Sequence, residues 1–187
     1  MLEFIEDGHL YLLDGVLLPS VSQVLSFVFP QKYNSIPEEI LTRKANFGTK
    51  IHLAVERYES ERELPEMNYI EEACFNQYLR LKQKHDIEVI EQERMVHYKD
   101  VYAGRFDMIA TIDGHKSLAD IKTTAVLDKE YLSWQLSLYE LATGWEFGKL
   151  YAIWLPKKNI GKVVEIKRID RDVLLKKLAE YQEVNYE

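Results

Sequence analysis

Apolar residues follow two different spacings along this chain, and each spacing predicts its own set of elements. Helical spacing predicts helices near 20–28, 37–60 and 67–84, after a short hairpin near 3–13. Short apolar runs predict strands near 87–98, 101–112, 116–123, 149–155 and 162–168, with helices near 129–143 and from about 170. The pattern therefore predicts an α/β fold, in which helices cover both faces of a central mixed sheet.

The dipeptide Asp113-Gly114 joins two of these predicted strands and is a strong signal for a two-residue hairpin turn. Such a turn makes Ile112 face His115 and places Asp107 directly opposite Asp120. The two carboxylates then lie on one face of the sheet, with Cβ atoms about 5 Å apart. A four-residue loop would keep them on one face, whereas a three-residue loop would separate them.

Neighbouring carboxylates on a buried strand pair repel each other unless a cation neutralises them. Both strands are rich in apolar residues, so a solvated charged face is the less favoured interpretation. Lys122 lies two residues after Asp120 and therefore on the same face. Carboxylate ligands favour Mg²⁺ or Mn²⁺, which also bind phosphate oxygens, and Lys122 is positioned to orient or help deprotonate an attacking water.

Two helices add polar residues at intervals of four. Gly48, His52 and Glu56 form one stripe on the predicted 37–60 helix, where the glycine would let a neighbour approach closely. Taken alone, such a His–Glu pair is more often a surface feature than a set of ligands. Gln135 and Tyr139 lie one turn apart on the helix that ends before Gly144, although a lone tyrosine there is usually a core residue.

Two further residues lie near the acidic pair in the predicted strands. Arg105 has the same strand parity as Asp107 and is a candidate phosphate contact. Glu93, on the preceding strand, could join the metal ligands, but an exposed strand glutamate is the favoured interpretation.

In order and spacing, these motifs resemble the RecB-type exonuclease branch of the PD-(D/E)XK nuclease superfamily, including its small phage and mitochondrial exonucleases. The resemblance spans roughly residues 45 to 140. It implies a restriction-endonuclease-like core in which His52, Asp107, Asp120 and the carbonyl of Ile121 hold the metal. It also implies that Lys122 is catalytic, together with the two aspartates.

The same resemblance implies a nucleic-acid contact from the helix that carries Gln135 and Tyr139. Arg105 and Lys50 are additional candidates for binding the substrate. Glu56 is expected to support the metal ligands from outside.

Two departures from larger members of this branch narrow the expected cofactors. Cys74 is the only cysteine, so a four-cysteine iron–sulfur cluster cannot form within the chain. The sequence also has no G-x-x-x-x-G-K-[ST] loop, so no ATP-driven motor is expected in it.

Length and composition predict one domain over residues 1–187, which the resemblance implies is a PD-(D/E)XK nuclease domain. Its N-terminal hairpin and helices would occupy 1–85, and the catalytic sheet and later helices 86–187. The absence of a long apolar run and the single cysteine favour a soluble, cytoplasmic protein that does not bind membranes.

The net charge of −7 is unusual for a protein that binds phosphates, so the distribution of basic residues matters. Basic residues cluster at Arg43, Lys44 and Lys50, and again at Lys157, Lys158 and Lys162. The first cluster is the better candidate for a DNA contact, and bound cations would offset the acids locally.

We therefore expect a Mg²⁺- or Mn²⁺-dependent DNA exonuclease, with DNA recombination, repair or phage DNA processing as its setting. Two alternatives stay open from the sequence: an endonuclease or structure-specific nuclease with the same core, and a non-catalytic nucleic-acid-binding protein. A homo-oligomer or a partner recombination protein is also compatible with the sequence.

Overall fold

A three-stranded sheet, a five-stranded sheet and five helices form the part of the chain that the computed structural model describes, residues 1–30 and 38–186. In chain order the elements are β1 (Leu2–Ile5), β2 (Leu10–Leu13), β3 (Val16–Leu18), α1 (Val21–Val28), α2 (Glu38–Glu59), α3 (Tyr69–Lys84), β4 (Glu88–Tyr98), β5 (Tyr102–Ile112), β6 (His115–Lys122), α4 (Lys129–Thr143), β7 (Lys149–Trp154), β8 (Lys162–Glu165) and α5 (Arg171–Tyr186).

The five-stranded sheet has the order β4-β5-β6-β7-β8. Its β5–β6 hairpin has the register of a two-residue turn, with Ile112 paired to His115 and Met108 to Ala119. Positive φ angles of 48° at Asp113 and 78° at Gly114 are those of a type I′ turn, which matches the twist of the strands. The predicted register is therefore confirmed.

The connection through α4 makes β6 and β7 parallel, whereas the other strand pairs in this sheet are antiparallel. Successive side chains on a strand point to opposite faces, so a sheet buried on both sides supplies two cores. The first core includes Ile109 and Leu118, with residues from α1, α4 and α5. The second includes Met108 and Ala119, with residues from α2 and α3.

These layers confirm the predicted fold class, a mixed sheet with helices on both faces, as in a restriction-endonuclease-like core. Some predicted bounds were wrong. The N-terminal hairpin has a third strand, β3, because Asp14-Gly15 also turns with positive φ angles, 50° and 82°. The predicted strand at 162–168 ends at Glu165, and the predicted start of α2 at Pro37 lies outside the described residues.

The small sheet packs against the start of β5. The backbone N–H of Ala103 donates to the carbonyl of Pro19 at 2.9 Å, and Tyr11, Leu18 and Ala103 are buried together. None of the helices within the described ranges is long and apolar enough to cross a membrane.

Candidate metal centre

Asp107 and Asp120 lie where the β5–β6 ladder ends. The last regular pair is Met108 with Ala119, one step before the two aspartates. Asp107 has the strand parity of Ile109, and Asp120 that of Leu118, so both point toward the α4 side of the sheet. The backbone N–H of Ile121 donates to Asp107 Oδ2 at 2.6 Å, which fixes this carboxylate against β6.

Helix α2 brings His52 to the same place. Its Nε2 lies 3.0 Å from the carbonyl oxygen of Ile121, and its Nδ1 lies 3.4 Å from Asp107 Oδ1. With both ring nitrogens facing oxygen acceptors, the protonated imidazole fits the site when no metal competes for it. The residue one turn earlier, Gly48, faces Thr123, but an added Cβ would lie 3.5 Å from Thr123 Oγ1. That is ordinary contact, so packing against Thr123 does not itself require a glycine here, and close approach of a ligand at Gly48 stays a prediction.

Lys122, the last residue of β6, lies beside the two aspartates. Its ammonium lies 2.6 Å from Asp120 Oδ2, and the aspartate side chain is only 4% exposed. The period of two along β6 accounts for this contact, because residues 120 and 122 leave the strand on one face. A cationic group therefore stands beside the more deeply buried of the two aspartates.

Glu93 also lies at this site, which the sequence analysis considered but did not favour. One of its carboxylate oxygens, a nitrogen of His52 and an oxygen of Asp107 all lie within 4.8 Å of one another. Its side chain is 24% exposed, so the expectation of an exposed strand glutamate was wrong. Its φ of 52° is unusual for a non-glycine residue. Its neighbours Gln92 and Arg94 pair with Met108 and Phe106, so Glu93 stands opposite Asp107 across the β4–β5 ladder.

The pKa values of this cluster show like charges acting on one another. Burial and the nearby Asp107 raise the pKa of Asp120 to about 6, against the opposing effect of Lys122. Burial and Asp107 also raise the pKa of Glu93 to about 7. For Asp107 itself, burial raises the pKa, but the cations of His52 and Lys122 outweigh it and the net shift is downward.

His52 responds in the opposite sense. Burial lowers the pKa of its imidazole, but the attraction of Asp107 and Asp120 for the protonated form is larger and raises the pKa to about 9. The site as a whole therefore stabilises positive charge strongly enough to hold a proton on a partly buried ring.

The Gln135–Tyr139 face of α4 covers this cluster. Tyr139 is buried, and its hydroxyl pKa is raised by burial and by the charges of Asp120 and Asp107. A Cβ on Gly104 would lie 2.7 Å from a ring carbon of Tyr139, so this glycine is required for the ring to pack on β5. Gln135 Oε1 is buried and has no hydrogen-bond partner among the described residues.

Three other predicted site residues lie around this centre, with partners of their own. Arg105 forms an ion pair with Glu93, with Nε 2.9 Å from Oε2, and lies over the ring of Phe4. Lys50 Nζ lies 3.4 Å from Glu71 Oε2, which ties it to the start of α3 rather than to His52. Glu56 is 3.9 Å from Arg62, and its charge contributes to the raised pKa of Glu93. Their roles in binding or support stay predictions.

The donor set suits a divalent cation. Neighbouring ligands of an octahedral ion such as Mg²⁺, each about 2.1 Å from it, are about 3 Å apart. His52 Nε2 and the Ile121 carbonyl have this separation, 3.0 Å. Carboxylates from Asp107, Asp120 and Glu93 supply the hard oxygen ligands that Mg²⁺ and Mn²⁺ favour.

Comparison with known proteins gives structural similarities only. No family model and no curated protein matches the sequence significantly. One similar solved structure is that of SSO0001, 18% identical, with a TM-score of 0.47 over 88% of this chain and 74% of that one. Another is an alkaline exonuclease (LHK-Exo) from Laribacter hongkongensis, 13% identical, with a TM-score of 0.44 over 73% of this chain and 77% of that one. The function of this chain is therefore inferred from its own side chains.

Proposed function

We propose that this protein is a Mg²⁺- or Mn²⁺-dependent DNA exonuclease that hydrolyses phosphodiester bonds. One observation carries the proposal: three carboxylates, an imidazole and a lysine lie together where the β5–β6 ladder ends, beside the middle of β5 and the last residues of β6. Like charges at such spacing are costly inside a protein unless they bind a cation. Buried titratable groups with strongly shifted pKa values cluster at functional sites more often than elsewhere.

His52, Asp107, Asp120 and the Ile121 carbonyl would hold the metal, with Glu93 as a further ligand. A bound Mg²⁺ or Mn²⁺ neutralises charge on a phosphodiester and makes water a better nucleophile at neutral pH. Asp107 is held in place by the Ile121 N–H, so its ligand oxygen is preorganised rather than mobile.

Lys122 is positioned to act on the attacking water. Its ammonium lies beside Asp120 and is 23% exposed, so solvent reaches the pair from one side. In this position it can orient the attacking water toward the phosphate and help to deprotonate it.

Gln135 and Tyr139 would position the DNA strand above the carboxylates. The buried amide oxygen of Gln135 has acceptor capacity left, which a donor on a nucleotide or a bridging water would satisfy. The Tyr139 side chain, which packs on Gly104, hydrogen-bonds the Gln135 side chain.

The proposal is tested by incubating the protein with labelled linear single- and double-stranded DNA in Mn²⁺ or Mg²⁺. We expect release of nucleotides from linear DNA and none from covalently closed circles. Lys122→Met should abolish release, and a chelator should do the same. Lys149→Met is the matched control, because Lys149 also pairs with a carboxylate, Glu165 at 2.5 Å, but on β7 and β8.

Equal digestion by Lys122→Met and by the wild type would remove the catalytic assignment of Lys122. Cleavage of closed circles at the rate of linear DNA would replace the exonuclease by an endonuclease. No cleavage of any DNA with either metal would contradict the proposed activity itself.

A further inference from the structure

A cleft beside the metal centre is lined by lysines that the sequence places far apart. Its volume is about 320 Å³, and its lining includes Phe47 and Lys44 from α2, Thr123 and Thr124 after β6, and Lys157 and Lys158 after β7. Among the described residues that line it there are three lysines and no carboxylate. This is a local excess of positive charge in a chain with a net charge of −7.

The cleft adjoins the candidate metal centre at the end of β6. Thr123 directly follows Lys122, and Gly48, one helical turn before His52, faces Thr123. Lys44 is one turn further along α2. With a rise of about 1.5 Å per residue, Gly48 and Lys44 lie roughly 6 and 12 Å along the helix axis from His52. The cleft therefore begins within roughly 6 to 12 Å of His52 along this helix, about the span of one or two nucleotides.

We propose that this cleft binds an unpaired DNA nucleotide next to the scissile phosphate, with its base inside and its phosphates at the lysines. The inference rests on the proposed nuclease function and adds the form of the substrate, a single-stranded end. The apolar part of the lining suits a base, and lysine ammonium groups at the mouth suit phosphates.

Contacts within the cleft agree with this occupant. Lys157 Nζ lies 3.6 Å from the centre of the Phe47 ring, so this aromatic face already attracts a cation in the absence of ligand. Lysine has a long flexible stem, and an entering base can take its place on the ring while the ammonium moves to a phosphate. Lys157 and Lys50 both also lower the pKa of Glu71, which shows that positive charge extends from the cleft to the start of α3.

The cleft also discriminates between single and double strands. A paired base is stacked and hydrogen-bonded within the duplex, and it enters an enclosed pocket only after unstacking. An unpaired base enters without this cost. We therefore expect tighter binding of single-stranded than of blunt duplex DNA.

The test is fluorescence anisotropy of a labelled 12-nucleotide single strand, with Ca²⁺ in place of Mg²⁺ or Mn²⁺. Lys157→Gln combined with Lys158→Gln should weaken binding about tenfold or more. The slope of log K against log salt should fall by about 1.4, because each phosphate contact on a single strand contributes about 0.7. Lys84→Gln combined with Lys176→Gln removes the same charge from two exposed positions outside the cleft and should leave both values near those of the wild type.

A second comparison tests the base rather than the phosphates. Strands with a single abasic nucleotide, moved along the sequence, should show one position at which the wild-type protein loses affinity severalfold. Phe47→Leu keeps an apolar side chain but removes the aromatic face, so it should reduce that difference, while thermal unfolding verifies that the variant is folded.

Equal binding by the cleft and control double variants would overturn this inference, and so would wild-type binding that is insensitive to every abasic position. Binding of blunt duplex as tightly as single strand would also overturn it. These outcomes are independent of cleavage, so the nuclease proposal can fail while the binding result stands, and the reverse.

Discussion

Two buried acidic sites in this protein, Glu140 and the candidate metal centre, differ in how their charges are neutralised. Glu140 on α4 has a complete set of partners: Arg168 Nε lies 2.5 Å from Oε2, and Oε1 accepts from a second nitrogen of Arg168 and from the backbone N–H of Phe147, both at 2.9 Å. Arg168 also donates to the Phe147 carbonyl at 2.6 Å. This one carboxylate and one guanidinium join α4 to the segment before α5, and both charges are matched within the protein.

The candidate metal centre has more carboxylates than such pairing can stabilise. Asp107 raises the pKa of both Asp120 and Glu93, although Lys122 and Arg105 stand beside them. An arrangement that costs stability and is open to solvent on one side is expected where a ligand supplies the missing charge. The difference teaches that the number of acids per cation, rather than burial alone, separates the candidate functional site from a structural ion pair.

Asp120→Asn should have the largest effect on activity. The amide cannot serve as an anionic ligand, so we expect cleavage to fall about 10³-fold, while the free energy of unfolding without metal changes by no more than about 1 kcal/mol. Cleavage rates in Mn²⁺ measure the loss of activity, and thermal unfolding in the presence of a chelator measures the change in stability. Nearly full activity in this variant would contradict the role of Asp120.

Glu140→Gln should lower stability but leave activity unchanged. Removing the charge leaves Arg168 without its carboxylate, and because Arg168 is 41% exposed we expect a loss of about 2 kcal/mol in the free energy of unfolding, below the range for a fully buried pair. Denaturant unfolding measures this loss, and cleavage per folded molecule should stay at the wild-type level. A Glu140 variant that is stable but inactive would break the comparison.

Glu93→Gln tests whether this third carboxylate of the candidate metal centre contributes to metal binding. The variant keeps the shape of the side chain but removes one anionic ligand, so the dissociation constant for Mn²⁺ should rise about tenfold, as for removal of a supporting ligand. Calorimetric titration with Mn²⁺ measures this change. Glu91→Gln, on the same strand and paired with Arg94 at 3.1 Å, is the matched control and should bind Mn²⁺ like the wild type.

The smallest effect is expected at Glu71, a structural carboxylate like Glu140. The backbone N–H of Asn68 and then Lys50 lower the pKa of Glu71 against the effect of burial. Its folded-state pKa is below its unfolded value, so its contribution to stability is present above the unfolded pKa and is lost as pH falls through the folded pKa. The wild type should exceed Glu71→Gln by about 1 kcal/mol at pH 7, and the difference should shrink as pH falls below about 5. Unfolding at several pH values checks this, and a constant difference would contradict it.

The sequence predicted the parts of the site that depend on regular periodicity. The turn at Asp113-Gly114 set the β5–β6 register, and the period of two placed Asp120 and Lys122 together. The period of four on α2 placed His52 on the stripe that contacts Ile121.

The parts that were missed depend on strand register and on tertiary pairing. Glu93 lies between Gln92 and Arg94, which pair with Met108 and Phe106, so its place opposite Asp107 follows from the β4–β5 register, which no two-residue turn signal marks in the sequence. The pairing of Lys50 with Glu71 depends on how α2 packs against α3, which no spacing along the chain encodes. The turn at Asp14-Gly15 carried the same dipeptide signal as residues 113–114 and could have been predicted.

Mn²⁺ binding followed by electron paramagnetic resonance tests the central claim most directly, because free Mn²⁺ is observed without reference to cleavage. The wild type and Glu140→Gln should remove Mn²⁺ from solution to the same saturable extent, whereas a double variant with Asp107→Asn and Asp120→Asn should bind it at least about 100-fold more weakly. If the double variant binds Mn²⁺ as tightly as the wild type, or if the wild type binds none, these carboxylates do not form a metal centre.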